Sequence, residues 1–353
     1  MAEIKKRFAD YGFKVGNLER GTRNTIADVP CVRVGHFTKI EGDDVRTGIT
    51  IIDPGIESLY RKKIPAAVAV GNGTGKVAGF AQVEELGTLE APIVLTNTLA
   101  VGTGILGMID YVRSGLVEAT WMDSTNVVVG EINDGRVNNL HQRSLVPEDV
   151  ISACAALTNE VEIGNVGGGT GGRVFSWKGG IGSASRLISI DNKQYVIGIL
   201  VQTNYGGLLT MLGVPLWKML GSVDFGIAPA PKNDGSCMIV VATDAPLSAR
   251  QLRRIASRVF LGLARTGSVL MHSSGDYSVA FTPCREGLEG SGQIGSCLSD
   301  GDLNPFFLGA VDATEESIYD AMFAAETMRG WQGRVLEALP LARVVQILKQ
   351  YGA

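Results

Sequence analysis

The 353-residue sequence predicts a layered α/β protein, in which sheets and helices pack against one another. Two observations lead to this prediction. Short apolar runs rich in β-branched residues alternate with longer segments of helical periodicity. Hydrophobic residues make up 45% of the chain, which excludes disorder over most of its length. The 46 glycines have no three-residue period, so they indicate tight turns and close backbone approaches rather than a collagen.

The strands and helices follow from the spacing of apolar residues. Val45–Asp53 alternates in hydrophobicity and contains β-branched residues, which predicts a strand. Tyr195–Val201 and Cys237–Thr243 are apolar throughout, which is typical of strands buried on both faces. Two further strands are predicted at Ala91–Leu95 and Asn126–Val129. Helices are predicted at Lys76–Leu86, Ile105–Val112, Pro147–Leu157, Leu247–Leu263, Thr314–Met328 and Leu341–Lys349.

Composition and charge exclude several classes of protein. With 32 basic and 36 acidic residues the net charge is -4, which argues against nucleic acid as a partner. No apolar run is long enough to span a bilayer, and no secretory signal is recognised, so a cytoplasmic protein is expected. The five cysteines are widely spaced without CxxC and indicate reduced thiols. The three histidines are far apart and HExxH is absent, so neither a metal nor another cofactor is expected.

Nucleotide-binding motifs are weak or absent. GxGxxG occurs at Gly102–Gly107 and Gly167–Gly172, but at this glycine content chance alone gives roughly 0.8 matches. The polar sequence NTLAV also precedes the first match, where a dinucleotide-binding strand should be apolar. Neither GxxxxGK[ST] nor GxSxG is present, which argues against P-loop nucleotide hydrolases and α/β-hydrolases.

The most informative segment is the irregular stretch Ile227–Gly235, which leads directly into Ser236 at the start of a buried strand. One interpretation is an Asp-Gly turn with the serine merely at the strand edge. The other is self-cleavage, in which the hydroxyl of Ser236 attacks the preceding carbonyl and an N-to-O acyl shift and hydrolysis follow. The freed α-amine, with a reference pKa of about 7.7–8.0, would then accept the proton of its own hydroxyl. No histidine is needed for this chemistry.

This segment resembles a known family. DGSCMIVVATDAPLSARQLRRIASRVFLGLARTGS, which begins at Asp234, resembles the start of the small chain of the DmpA family. That family comprises L-aminopeptidase/D-esterases and β-peptidyl aminopeptidases with an N-terminal serine nucleophile. Further blocks resemble it in order: RTGITIIDP (46–54), GNGTGKVAGFAQVEELG (71–87), STNVVVGEINDG (124–135), GNVGGGTGGRVFSWKGGIGSASR (164–186), GILVQTNYGG (198–207) and HSSGDYSVAF (272–281).

The resemblance implies a fold, an activity and an assembly. The fold is an αββα sandwich, formed by one domain over residues 1–353 that is cleaved into 1–235 and 236–353. The activity is release of an N-terminal residue, either a β-amino acid such as β-alanine or a small α-amino acid, from short peptides, amides or esters. The reaction passes through an acyl-enzyme. Cleaved protomers are expected to form a homotetramer.

The resemblance also implies roles for particular residues. Gly235–Ser236 is the bond that is cleaved, and Ser236 is the nucleophile. Ser274 and Asp276 assist the nucleophile and its amine, and Asn204 helps to bind the oxyanion. From the residues alone, Ser274 and Asn204 are equally compatible with turns, and Asp276 with a solvated loop.

Substrate binding is assigned to Glu131 and Asn133. The resemblance implies that Glu131 holds the ammonium group of the substrate, whereas a turn-capping role is the structural alternative. DmpA carries a tyrosine shortly after this glutamate. Here Asn133 can donate a hydrogen bond but supplies no phenol, which puts the substrate preference of DmpA in doubt for this chain.

Several alternatives remain open. An acyltransferase like ornithine acetyltransferase would share the self-cleaved fold, although that enzyme uses a threonine where Ser236 stands here. A non-catalytic binding protein would keep Gly235–Ser236 intact. The glycine-rich block Gly164–Gly172 either lines the substrate cleft with backbone amides or forms a close crossing between sheets.

Overall fold

The computed structural model describes residues 6–116, 124–220, 235–284 and 297–352, together with the backbone of two short strands between 288 and 294. The strands are β1 Arg33–Glu41, β2 Val45–Asp53, β3 Ile64–Gly73, β4 Thr88–Leu89, β5 Ile93–Asn97, β6 Val129–Ile132, β7 Arg173–Val174, β8 Trp177–Lys178, β9 Ile181–Ile190, β10 Lys193–Asn204, β11 Gly235–Thr243, β12 Ser274–Phe281, β13 Leu288–Glu289, β14 Gln293–Ile294, β15 Met328–Arg329 and β16 Val335–Leu336. The helices are α1 Phe80–Leu86, α2 Val101–Ser114, α3 Pro147–Ala155, α4 Leu216–Leu220, α5 Ala249–Ala256, α6 Val259–Arg265, α7 Leu303–Phe323 and α8 Leu341–Gln350.

The longer strands form two sheets. The first has the order β1-β2-β5-β6, and the second has the order β4-β3-β12-β11-β10-β9. Within the second sheet only β11 and β12 are parallel, and the other neighbours are antiparallel. The remaining strands form the two-stranded ribbons β7-β8, β13-β14 and β15-β16.

Alternation along the strands builds four layers, because successive side chains of a strand point to opposite faces. In β11, Met238 and Val240 belong to the apolar core between the two sheets, whereas Ile239 and Val241 pack on the helical side. Helices α5, α6, α7 and α8 cover this helical side of the second sheet and form a second apolar core with it. On the outer face of the first sheet, α2 and α3 cover β2, β5 and β6. The predicted αββα sandwich is therefore confirmed.

The element boundaries differ from the predicted ones in instructive ways. The helix predicted at Lys76–Leu86 begins only at Phe80, because Gly79 has a left-handed backbone with φ 81°. The helix predicted at Leu247–Leu263 is two helices, α5 and α6, separated by Ser257 and Arg258. The helix predicted at Thr314–Met328 starts eleven residues earlier, at Leu303, and ends at Phe323.

The strand predictions are closer. Val45–Asp53 is β2 at the predicted bounds, and the strand predicted at Cys237 begins two residues earlier, at Gly235. The strands predicted at Ala91–Leu95 and Tyr195–Val201 correspond to β5 and β10, with shifted or extended ends. The strand predicted at Asn126–Val129 overlaps β6 only at Val129. In the irregular segment Ile227–Gly235 only Gly235 belongs to the described residues.

The first GxGxxG match is not a loop. It lies inside α2, where a Cβ on Gly104 would lie 2.9 Å from Val129 and one on Gly107 would lie 2.6 Å from Val150. These glycines let α2 approach β6 and α3 closely, which accounts for them without a nucleotide.

The described residues provide neither a membrane-spanning helix nor a metal-binding cluster. Their helices include none long and apolar enough to cross a membrane. The same residues hold no group of three or more His, Cys, Asp or Glu side chains arranged to bind a metal ion.

Candidate active site

Three neighbouring strands of the second sheet bring four of the predicted residues together. Asn204 ends β10, Ser236 is the second residue of β11, and Ser274 and Asp276 lie at the start of β12. Asn204 is the antiparallel ladder partner of Ser236, and Ser274 is the parallel partner of Gly235. All four side chains are buried. Residues from three distant parts of the sequence thus meet at one end of the sheet.

The Gly235–Ser236 peptide has a distinctive geometry. The hydroxyl of Ser236 donates a hydrogen bond to the carbonyl oxygen of Gly235 at 2.6 Å. A Cβ on Gly235 would lie 2.8 Å from Oγ of Ser274. The hydroxyl oxygen of Ser236 is therefore beside the carbonyl that precedes it, and the hydroxyl of Ser274 lies close to the same peptide unit.

Asp276 is a fully buried carboxyl group. Burial raises its pKa to about 6, and the nearby hydroxyl of Ser274 acts in the opposite direction. Within the described chain, neither side chain has a hydrogen-bond partner of regular geometry. A buried carboxylate is costly without a donor or a cation nearby, so this pair is suited to an additional positively charged group.

Asn72, at the end of β3, supports the turn that precedes Ser274. Its Nδ2 donates to the carbonyl oxygens of Met271 at 3.0 Å and His272 at 3.1 Å, and also to that of Ser274. Sequence analysis did not identify Asn72. The available signal was an amide side chain between two glycines at the end of an apolar run, which also fits an ordinary turn.

The first sheet contributes Glu131 through β6. Its side chain is buried, and Oε1 accepts a hydrogen bond from the backbone N–H of Lys76 at 3.0 Å. Asn133 follows the strand and is half-buried, and its Oδ1 accepts a hydrogen bond from the N–H of Gly135 at 3.0 Å. Asp134, between Asn133 and Gly135, is fully buried, and burial raises its pKa to about 7. The oxygen of Asn133 is thus used in a local turn, whereas its amide nitrogen is not part of that bond.

Gly75 lies between Glu131 and β12, the strand next to Ser236. A Cβ on Gly75 would lie 3.0 Å from Oε1 of Glu131, 3.2 Å from Cε2 of Tyr277 and 3.4 Å from Cα of Gly275. Gly275 is in turn the ladder partner of Ser236. Because no side chain intervenes at Gly75 or Gly275, the carboxylate on the first sheet approaches the backbone of β12 beside Ser236. Sequence analysis missed Gly75 and Tyr277, which carry no signal of their own.

The glycine-rich segment 164–172 forms a close crossing between the sheets. The N–H groups of Gly167 and Gly168 donate to threonine hydroxyls of β1 and β2 at 2.8 and 3.0 Å. A Cβ on Gly168 would lie 2.0 Å from the side-chain oxygen of Gln202 and 2.7 Å from the carbonyl oxygen of Leu95. Since these two amides are used within the fold, the crossing is the favoured of the two interpretations.

A cavity of about 460 Å³ opens elsewhere, beside the end of α2. Arg33, Asp53, Tyr60 and Tyr111 line it, and the predicted site residues do not. The cavity is therefore separate from the group formed by Asn204, Ser236, Ser274 and Asp276.

The αββα sandwich with a buried serine at the start of a central strand defines the class of protein: a serine hydrolase of the N-terminal-nucleophile type. Residues 24–336 match peptidase family S58, and the chain belongs to this family.

Three comparisons illustrate the relationship. The β-peptidyl aminopeptidase BapA of Sphingosinicella xenopeptidilytica is 37% identical, over 93% of this chain and 88% of its own. The PH0078 protein from Pyrococcus horikoshii OT3 has a TM-score of 0.91 at 38% identity, covering 99% of this chain and 100% of its own. The L-aminopeptidase D-Ala-esterase/amidase from Ochrobactrum anthropi, described as a variant of the N-terminal-nucleophile hydrolase fold, has a TM-score of 0.89 at 31% identity and covers 99% of each chain. The predicted family and the predicted class, a serine aminopeptidase, are confirmed.

Proposed function

We propose that this protein cleaves itself between Gly235 and Ser236 and then removes N-terminal residues from short peptides, amides or esters. The observation that supports this most directly is the 2.6 Å hydrogen bond from the hydroxyl of Ser236 to the carbonyl oxygen of Gly235. It keeps the nucleophile beside the bond to be broken before any cleavage has occurred. The products are the chains 1–235 and 236–353 of one domain.

Self-cleavage proceeds through an ester. Oγ of Ser236 attacks the carbonyl carbon of Gly235, its proton is transferred to the leaving backbone nitrogen, and the C–N bond breaks. Water then hydrolyses the ester, which leaves a carboxylate on Gly235 and a free α-amine on Ser236. Ser274 lies close to this peptide unit, so its hydroxyl is available to the new amine.

Turnover uses the same atoms again. The α-amine of Ser236 accepts the hydroxyl proton while Oγ attacks the carbonyl carbon of the substrate, and the protonated amine then protonates the leaving group. The side-chain amide of Asn204, opposite Ser236 in the ladder, donates to the oxyanion. Asp276 favours the ammonium form of the amine through its negative charge and acts together with Ser274. Water completes the cycle by hydrolysing the acyl-enzyme.

Glu131 selects for a free amino terminus. Its buried carboxylate binds the ammonium group of the substrate, and Asn133 offers its amide nitrogen as a second contact. A β-amino acid such as β-alanine and a small α-amino acid are both candidates for the residue that is released. The names of the relatives, a β-peptidyl aminopeptidase and an L-aminopeptidase D-Ala-esterase/amidase, support this range.

Mass spectrometry of the denatured protein tests the proposal. Cleavage should give chains of about 24.9 and about 12.5 kDa, by scaling 37.4 kDa to length. Ser236→Ala should remain one inactive chain, whereas the control Ser278→Ala, at another buried serine of this sheet, should be cleaved. A Ser236→Ala chain cut at the same bond would disprove the mechanism, and an intact wild-type chain without turnover would favour a non-catalytic protein.

We also propose that four cleaved protomers assemble and that the protein works in the cytoplasm. Exposed apolar side chains such as Leu261, Val269 and Leu308 are available for burial between protomers. Buried thiols such as Cys154 and Cys237 are compatible with a reducing compartment. Light scattering of the purified protein gives the mass of the assembly directly, and a monomer would contradict the first proposal.

A further inference from the structure

Lys178, at the end of β8, is a fully buried lysine. Its Nζ lies 2.6 Å from the carbonyl oxygen of Gly179, 2.9 Å from that of Gly172 and 3.3 Å from that of Gly169. A lysine ammonium has three N–H donors, and an ammonium out of water must satisfy them. The ammonium group of Lys178 therefore binds three carbonyl oxygens of the loop 169–180 at once.

This loop is bonded to both neighbours of Asn204. The backbone N–H of Thr203 donates to the carbonyl oxygen of Gly180 at 3.0 Å, and the N–H of Gly180 donates to Oγ1 of Thr203 at 3.1 Å. On the other side, the N–H of Tyr205 donates to the carbonyl oxygen of Arg173 at 3.0 Å. The end of β10 is thus fixed by the loop before and after Asn204.

No space separates the loop from the strand. A Cβ on Gly179 would lie 2.8 Å from Oγ1 of Thr203, and one on Gly172 would lie 2.6 Å from the carbonyl oxygen of Thr203. A shift of the loop therefore moves Thr203 and, with it, the next residue. Groups that stabilise an oxyanion act only when they are held accurately, and a displacement of about 1 Å costs about 100-fold in rate.

We propose that Lys178 is a positioning residue for the oxyanion site. Its ammonium holds the loop 169–180, the loop holds Thr203, and Thr203 fixes Asn204 opposite Ser236. The inference rests on the oxyanion role proposed above for Asn204. It adds a buried cation that acts on the oxyanion site through backbone contacts.

Thr203→Val and Lys178→Met test the two links separately. Each should lower kcat by about 10- to 100-fold with little change in KM, since oxyanion stabilisation is a transition-state interaction. Thr203→Ser keeps the hydroxyl and should restore kcat. Thr243→Val, at the far end of β11, is the matched control for removing a buried threonine hydroxyl and should leave kcat unchanged. The cleaved fraction, measured by mass spectrometry, serves as the enzyme concentration.

The same substitutions are then made in Asn204→Ala. If Lys178 acts through Asn204, Lys178→Met and Thr203→Val should lower kcat much less in this background than in the wild type. Equal losses in both backgrounds would overturn the inference, as would a wild-type kcat in Thr203→Val or in Lys178→Met. If Lys178→Met does not yield cleaved protein, the comparison of Thr203→Val with Thr203→Ser decides the result.

The proposed function is tested independently in the same series. An uncleaved wild-type chain without turnover would refute the function. A cleaved, active wild type and an impaired Asn204→Ala, together with unaffected Lys178→Met and Thr203→Val, would refute only the role of Lys178.

Discussion

Ser274 faces Gly235 across the parallel ladder of β11 and β12, so closely that a Cβ on Gly235 would lie 2.8 Å from the Ser274 hydroxyl oxygen. This distance is shorter than a van der Waals contact between carbon and oxygen, so a methyl group at position 235 must displace the Ser274 hydroxyl. The residue before Ser236 is therefore restricted by the neighbouring strand.

Gly235→Ala should slow self-cleavage markedly, because the displaced Ser274 hydroxyl no longer lies beside the scissile peptide. Molecules that have been cleaved should turn over substrate normally, since residue 235 is no longer joined to the nucleophile. A time course by mass spectrometry, with activity expressed per cleaved chain, measures both quantities. Gly102→Ala is the control, since no atom lies within 4 Å of its Cβ position. Cleavage of Gly235→Ala at the wild-type rate would contradict the argument.

Asp276→Asn should move the acidic limb of the pH–rate profile. The α-amine of Ser236 must be unprotonated to act as a base, and its reference pKa is about 7.7–8.0. The negative charge of Asp276 stabilises the ammonium form and raises that pKa. Removing the charge should therefore shift the rise of kcat/KM to lower pH. A limb that stays in place or moves to higher pH would argue against an interaction between the carboxylate and the amine.

The raised pKa of Asp276 also predicts how stability depends on pH before cleavage. Burial raises this pKa to about 6 in the folded chain, so between about pH 4 and 6 the folded state binds more protons at this site than the unfolded state. The contribution of Asp276 to stability is therefore lost as the pH rises through this range. The free energy of unfolding of Ser236→Ala should fall on the order of 2–3 kcal/mol from pH 4 to 7, relative to that of Ser236→Ala/Asp276→Asn. Urea unfolding of both variants from pH 4 to 7 measures the difference, and a constant difference would contradict it.

Glu131→Gln should separate peptide turnover from self-cleavage. The amide oxygen can still accept the N–H of Lys76, but the charge that binds the ammonium group of the substrate is lost. We expect kcat/KM for β-alanyl and L-alanyl amides to fall by about 100-fold, while the Gly235–Ser236 bond is still cleaved. Loss of both activities would indicate a structural role for Glu131.

Arg186→Met should destabilise the chain much more than a surface substitution. Arg186 and Glu316 form a fully buried ion pair at 2.6 Å that joins β9 to α7. Glu316 also pairs with Arg20 at 2.8 Å, so removing Arg186 takes away one of its two cations. Loss of a buried hydrogen bond to a charged group costs about 2 kcal/mol. Arg33→Met is the comparison, because half-exposed Arg33 pairs with Asp53 and should contribute little. Equal free energies of unfolding for both variants, measured in the Ser236→Ala background, would refute the prediction.

The sequence was most informative where a single period governs the side chains. β2 was predicted at its observed bounds because its residues alternate, and β11 was recognised by its continuous apolar run. The first half of α7 was missed because it buries Asp312 and exposes Leu308, so its apolar and polar residues do not separate onto two faces. The break between α5 and α6 was missed because both helices continue the same apolar spacing.

The site was predictable only in part. Ser236 could be proposed from its chemistry, whereas Ser274, Asp276 and Asn204 were identified through a family resemblance. Lys178 acts on backbone carbonyl groups of its own loop and Asn72 on those of a distant segment, and no side-chain pattern in a sequence reveals such contacts. Tertiary structure alone brings them to the strand ends.

The strand order of the second sheet, β4-β3-β12-β11-β10-β9, has a consequence for biogenesis. The two central strands, β11 and β12, come almost entirely from the segment that begins at Ser236. The strands on either side of them, β3 and β4 and also β9 and β10, come from the first 235 residues. Produced as separate polypeptides, each portion would present unsatisfied sheet edges and a tendency to aggregate. The proposed cleavage should therefore follow folding of the intact chain, and mixing two independently expressed fragments should not reconstitute an active enzyme.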